Sequence, residues 1–132
     1  MLVADIMTKT NLTTISPMAS VREALNKMRE TKVKSLIVEK LSPSDAYGIM
    51  TFKNILQSIV AEDGDIDMLN VYDICSKPAI QISKELNVKY AAQMMVNQSI
   101  KRVLVIDNNE LEGILTMTNI LDVLMKQAQE GE

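Results

Sequence analysis

The 132-residue chain has no histidine, no tryptophan, a single cysteine (Cys75) and a single phenylalanine (Phe52). Each scarcity excludes something. Without histidine there is no Ser-His-Asp or Cys-His nucleophile chemistry and no His-ligated zinc. One cysteine builds neither a cysteine zinc site nor an internal disulfide framework, and it fits a reducing compartment. Aromatics make up 3% of the chain, so Leu, Ile, Val and ten Met must fill the core. No apolar run approaches the ~20 residues that a membrane span needs. The first residues turn acidic at Asp5, unlike a secretory signal. Fourteen basic against seventeen acidic residues leave a net charge of −3, which does not supply the basic face of a nucleic-acid binder. Carboxylates and lysines remain, but the commonest general base is missing. These counts predict a cytoplasmic protein that is not an enzyme and binds neither metal, membrane nor nucleic acid.

What is present is a repeat. Val3-Ala-Asp-Ile-Met-Thr8 matches Val71-Tyr-Asp-Ile-Cys-Ser76 at an offset of 68. Val21, Ala24 and Met28 match Val88, Ala91 and Met95 at 67, and Val33–Val38 matches Ile100–Val105 at the same offset. Gly48–Leu56 matches Gly113–Leu121 at 65. The offset changes only where loops are expected, which is where a duplicated fold tolerates insertions. The repeats are assigned to residues 1–66 and 67–132.

Each copy reads as β-α-β-β-α behind a short leading segment, so the fold class is α/β (α+β). The first strands are Leu12–Ile15 and Ala79–Ile82. Val21, Ala24, Leu25 and Met28 stand at i, i+3, i+4 and i+7, predicting an amphipathic helix over 20–31. Ser20 followed by Glu23 is a capping-box signature, and Asn87 takes the capping place in copy two. Apolar runs at Ser35–Glu39 and Arg102–Asp107 suit buried strands. Third strands follow at Ala46–Met50 and Leu111–Leu115, then helices over 52–61 and 117–128. Glu62, Asp63, Gly64, Asp65 and Asp67 read as a solvated linker. They lack the twelve-residue ligand pattern and closing Glu of a calcium loop.

The sharpest motif is Gly-Ile-Met-Thr-Phe-Lys-Asn at 48–54 and Gly-Ile-Leu-Thr-Met-Thr-Asn at 113–119. Both lie where a strand passes into a helix, whose free N–H groups suit an anion. Thr51 and Thr116 add a hydroxyl. Asn54 and Asn119 add an amide able to hydrogen-bond a ribose. The same Thr-x-x-Asn spacing also describes an N-cap with a polar third residue.

These blocks together resemble a cystathionine-β-synthase (CBS) domain pair over residues 2–128. The resemblance rests on Asp-Ile-Met-Thr at 5–8, Val-x-x-Ala-x-x-x-Met at 21–28 and 88–95, Ile-Lys-Arg-Val-Leu-Val-Ile-Asp at 100–107, and the two Gly-to-Asn motifs. It implies two repeats packed about a pseudo-twofold axis. The clefts between them would hold an adenosine-containing ligand such as AMP, ADP, ATP or S-adenosylmethionine. It implies ligand roles for Thr51, Asn54, Thr116 and Asn119, phosphate contacts from Lys34, Lys101 and Arg102, and an adenine border along Thr13, Thr14, Ile80 and Gln81. The family pattern ends in Asp where this chain has Asn twice, so the charge-assisted bond of a carboxylate is missing. The expected function is a regulatory, energy-sensing module that signals to a separate effector protein, with homodimers formed through helices bearing Ile59, Val60, Val123, Leu124 and Met125. The alternative is a ligand-free dimerisation or interaction module.

Overall fold

The computed structural model describes residues 1–131. The elements run α1 (Val3–Ile6), β1 (Thr14–Ile15), α2 (Val21–Thr31), β2 (Ser35–Val38), β3 (Gly48–Thr51), α3 (Phe52–Ile55), a π-helical stretch (Leu56–Ala61), α4 (Val71–Ile74), β4 (Gln81–Ile82), α5 (Val88–Asn97), β5 (Arg102–Asp107), β6 (Glu110–Thr116) and α6 (Met117–Glu130). The α/β class and the doubled β-α-β-β-α order are as the sequence predicts.

Each sheet has three strands, ordered β1-β2-β3 and β4-β5-β6. In each, the first two strands run parallel and the last two antiparallel. The parallel pair needs a crossover, which α2 and α5 supply. The antiparallel pair β5–β6 turns through Asn108 and Asn109, both at positive φ. A two-residue hairpin demands that geometry, and asparagine tolerates it.

The chain packs as two compact units, Thr13–Ala79 and Met1–Leu12 with Ile80–Glu132. The packing division therefore differs from the sequence repeat: each leading segment is built into the unit of the other copy. Segment 3–8 joins the second copy through Val3 N–H to Leu86 O (2.8 Å), and through Thr8 N–H to Ile114 O (2.8 Å) with Ile114 N–H returning to Thr8 O (2.9 Å). Segment 70–76 joins the first copy through the equivalent Ile49–Ser76 pair, at 2.9 Å in both directions. Val71 and Ile74 enter a core with Ile15, Val21, Ala24, Met28, Leu36 and Met50. Val3 enters the core of the other unit with Ala91, Met95, Val103, Val105 and Leu115.

That exchange explains the two motif glycines. A Cβ on Gly48 would stand 3.0 Å from Ser76 O, and one on Gly113 would stand 2.6 Å from Thr8 O. Neither glycine has a positive φ. The leading segment's close backbone approach is what excludes a side chain.

Ser20 accepts from Glu23 N–H (3.1 Å) and Asn87 from Lys89 N–H (2.9 Å), as capping residues should. Several local readings need correction. β1 and β4 start two residues later than expected, at Thr14 and Gln81, and the helix expected over 52–61 is α-helical only to Ile55 and π-helical from Leu56 to Ala61. The leading segments contain short helices, α1 and α4, where none was expected. β3 begins at Gly48 rather than Ala46, because the Asp45 carboxylate draws Leu41 N–H and Ala46 N–H into a turn (both 2.8 Å). The acidic linker is not wholly solvated: Ile66 and Leu69 pack on the core, and Asp67 grips the Arg22 guanidinium with two bonds of 2.5 and 2.9 Å.

Candidate functional site

Sheet topology gathers the predicted residues at one end of each unit. Parallel strands start together, and an antiparallel neighbour finishes beside their start. So β5 begins, and β6 ends, at the same place: Arg102 pairs with Thr116 in register. Met117 N–H, the first of α6, donates to Lys101 O at 3.0 Å. On the other side of β5, Leu104 N–H donates to Ile80 O (3.1 Å), and Gln81 is registered with Leu104. Ile80, Gln81, Lys101, Arg102, Thr116 and Asn119 therefore share one unit and one end of its sheet. The other unit repeats the arrangement with Thr13, Thr14, Lys34, Thr51 and Asn54, where Ser35 pairs with Thr51 and Thr14 with Ile37.

The two ends differ in charge and in what their polar groups already do. Lys101 and Arg102 make no ion pair among the described residues, and Arg102 is half-buried. Ser35, the counterpart of Arg102, brings no charge. Lys27 donates to the Thr14 carbonyl, and Thr14 Oγ1 donates to Glu39 (2.9 Å). Met94 stands at the Lys27 position in the second copy, so that position supplies no cation to the Gln81 carbonyl.

The Thr-x-x-Asn motifs are caps. Asn54 Oδ1 accepts from Thr51 N–H (2.8 Å), and Asn119 Oδ1 from Thr116 N–H (2.9 Å). The hydroxyls diverge: Thr51 Oγ1 donates to Asn54 Oδ1 (3.1 Å), whereas Thr116 Oγ1 accepts from Asn119 N–H (3.0 Å). The amide nitrogens then reach the exchanged segments. Asn119 Nδ2 donates to Thr8 Oγ1 (3.2 Å) and Asn54 Nδ2 to Ser76 Oγ (3.3 Å). A carboxylate has no such proton to give. Asparagine at both family-aspartate positions thus closes the cap with its oxygen and ties the leading segment with its nitrogen. Sequence reasoning missed Thr8 and Ser76. The only signal was a hydroxyl residue at the same place in both copies.

The ionisable groups that depart from their ordinary values lie elsewhere. The Lys77 ammonium, 2.7 Å away, and two backbone N–H bonds hold the Asp45 carboxyl down to about 2. Burial pushes the Cys75 thiol up. No group of three potential metal ligands occurs among the described residues. No helix of the described residues is long and apolar enough to cross a membrane.

Comparison with known proteins places this architecture. The CBS domain family model matches residues 3–61 and 71–126. The chain belongs to the CBS domain family. An uncharacterised protein of Methanopyrus kandleri is 33% identical over 111 residues, covering 82% of this chain and 55% of that one. The chain spans about half the length of the first curated relatives it matches. Among solved structures, the hexameric CBS-CP12 protein from bloom-forming cyanobacteria superposes with a TM-score of 0.84 at 35% identity, covering 92% of this chain and 69% of that one. CBSX2, solved in complex with AMP, gives a TM-score of 0.76 at 24% identity, covering 95% of this chain and 96% of that one. The last likeness is one of fold.

Proposed function

We propose that this CBS pair is a regulatory module that binds an adenosine-containing ligand, and that Lys101, Arg102, Thr116 and Asn119 form the stronger of two sites. One observation carries the reading: two cations without ion-pair partners among the described residues adjoin the N-terminus of a fourteen-residue helix at the end of the sheet. The positive end of the helix dipole and an arginine fork both favour phosphate oxygens, while Met117 N–H and Asn119 N–H are already bonded within the cap. AMP in the CBSX2 structure supports the ligand class. Ile80 and Gln81 border the adenine. The weaker site has Thr13, Thr14, Lys34, Thr51 and Asn54. It lacks the arginine, and Lys27 already occupies one of its backbone acceptors. At either site the asparagine amide must leave Thr8 or Ser76 to meet a ribose. Ligand binding and the tie on the leading segment are therefore coupled, and an effector protein can read that change. A ligand shifts a conformation only through unequal affinity for its two states.

Thermal unfolding with AMP, ADP, ATP and S-adenosylmethionine tests the reading. A ligand at a hundred times its dissociation constant stabilises by about 2.7 kcal/mol. At least one should raise Tm, and Arg102→Ala should remove most of the rise while leaving unliganded Tm unchanged. If all four leave Tm unmoved, the ligand reading fails.

A second reading, a module for self-association, is favoured by exposed apolar side chains on the closing helices. Val60 is 68% exposed, and Leu124 and Met125 are each 56% exposed. Sedimentation with and without nucleotide separates the two readings.

A further inference from the structure

β1 and β4 are the corresponding edge strands of the two sheets, and their outward backbone groups have different surroundings. In β1 the carbonyls of Thr13 and Ile15 accept from Ile37 N–H and Glu39 N–H, both at 2.9 Å. Alternate residues of a paired strand turn their backbone groups to opposite sides, so the Thr14 carbonyl points away from β2, off the edge of the sheet. In β4 the Ile80 carbonyl accepts from Leu104 N–H at 3.1 Å, which leaves the Gln81 carbonyl on the matching edge.

Around Thr14 the first unit places charge. Lys27 is half-buried and donates from its ammonium to the Thr14 carbonyl. Thr14 Oγ1 in turn donates to the Glu39 carboxylate at 2.9 Å. The repeat offset of 67 puts Met94 in the place of Lys27 and Ile106 in the place of Glu39. Met94 packs on the core of its unit and Ile106 is buried. One edge therefore carries a cationic donor and an anionic acceptor, both bonded to a single residue. The other has an apolar side chain at each of those places.

The two kinds of purine differ at the groups this contrast addresses. Adenine carries an amino donor at C6 and an acceptor at N1. A 6-oxopurine carries an acceptor at O6 and a donor at N1–H. An ammonium has three protons and no lone pair, so Lys27 keeps two protons for an acceptor after bonding Thr14. It meets O6 with opposite polarity and the adenine amino group with like polarity. The Glu39 carboxylate accepts from N1–H, and it repels the lone pair on N1 of adenine. Lysine donating to O6 is also a common way of recognising guanine.

We infer that the site in unit Thr13–Ala79 selects a 6-oxopurine nucleotide, with Lys27 and Glu39 discriminating it from the 6-aminopurine bound beside Gln81. The inference rests on the proposed placing of a purine against Thr13–Thr14 and Ile80–Gln81, and it adds the chemical class that each site accepts. The site that is weaker for an adenosine ligand is thereby a site for a different base.

The test titrates the full chain, isotopically labelled for amide NMR, with AMP and with inosine monophosphate (IMP), which differ only at C6 and N1. Amide signals of Thr14, Ile15 and Glu39 report one site, and those of Gln81 and Leu104 the other. IMP should saturate the first site roughly tenfold more tightly than AMP, the worth of one hydrogen bond to a charged group. The second site should show no such preference. Lys27→Met installs the residue of the other copy and should abolish the preference at the first site alone. The reciprocal Met94→Lys should create it at the second, and Glu39→Ala should weaken IMP without weakening AMP. Lys27 and Met94 are both half-buried, so each site already tolerates the partial exposure that the exchange requires. If AMP moves the second-site signals while AMP and IMP bind the first site equally, or if the preference for IMP survives Lys27→Met, the inference is overturned and the adenosine-ligand reading stands. If neither nucleotide moves either set of signals at millimolar concentration, both are overturned.

Discussion

Alanine at Gly113 places a methyl carbon 2.6 Å from the Thr8 carbonyl oxygen and 3.2 Å from Met7 Sδ. The sulfur sits on a flexible side chain and can swing away. The carbonyl cannot move alone, because it accepts from Ile114 N–H while Thr8 N–H donates back to Ile114. Relief must displace the segment, loosening two backbone bonds, the Asn119–Thr8 tie and the seat of Val3 in the core. Overpacking of this kind costs about 1–3 kcal/mol. Stiffening of the unfolded chain by Gly→Ala returns about 0.4–1 kcal/mol. The net expectation is a loss of about 1–2 kcal/mol, or roughly 4–8 °C of Tm for a chain of this size. Gly48→Ala should cost less, since its nearest backbone atom, Ser76 O, is 3.0 Å away. Thermal and urea unfolding give the ranking. Hydrogen exchange at the Thr8 and Ile114 amides should show faster opening in Gly113→Ala. A Gly113→Ala protein as stable as the parent, or less perturbed than Gly48→Ala, would refute the close-approach account.

Two further outcomes follow from the ionisable groups. The folded Asp45 carboxyl titrates at about 2, below its ordinary 3.8, so the unfolded state binds the proton first. Its contribution is fully present above about pH 4 and is lost as pH falls through 2. Urea unfolding from pH 7 to 2 should show that acid-side loss, and Asp45→Asn should flatten it; identical profiles in both proteins would contradict the assignment. Cys75 is half-buried with its thiol pushed up, so thiolate is scarce at pH 8. Iodoacetamide should modify it slowly in the native protein and rapidly in urea, and native labelling as fast as that of free cysteine would be inconsistent with its burial.

The repeat, the order of elements and both long amphipathic helices were legible because apolar spacing reports them directly: Val21, Ala24 and Met28 are all buried. The gathering of Lys101, Arg102, Thr116 and Asn119 was legible from motif position and from the resemblance. Exchange of the leading segments was not. Thr8 and Asn119 are 111 positions apart, and a bond at that separation leaves no periodic trace. α1 and α4, of four residues each, are too short to show a helical stripe. The linker misled through composition. Its carboxylates outnumber Ile66, yet that single side chain packs on the core.

The exchange of leading segments has a consequence for the order in which the chain folds as it is made. Residues 13–79 form a continuous stretch that holds one whole core, so that unit is complete once Ala79 has left the ribosome. The other unit joins the first dozen residues to the last fifty or so. Val3 must wait for its core partners Val103, Val105 and Leu115, which follow it by 100 or more positions. The duplicated sequence and the folding schedule thus run in different frames, about a dozen residues out of phase.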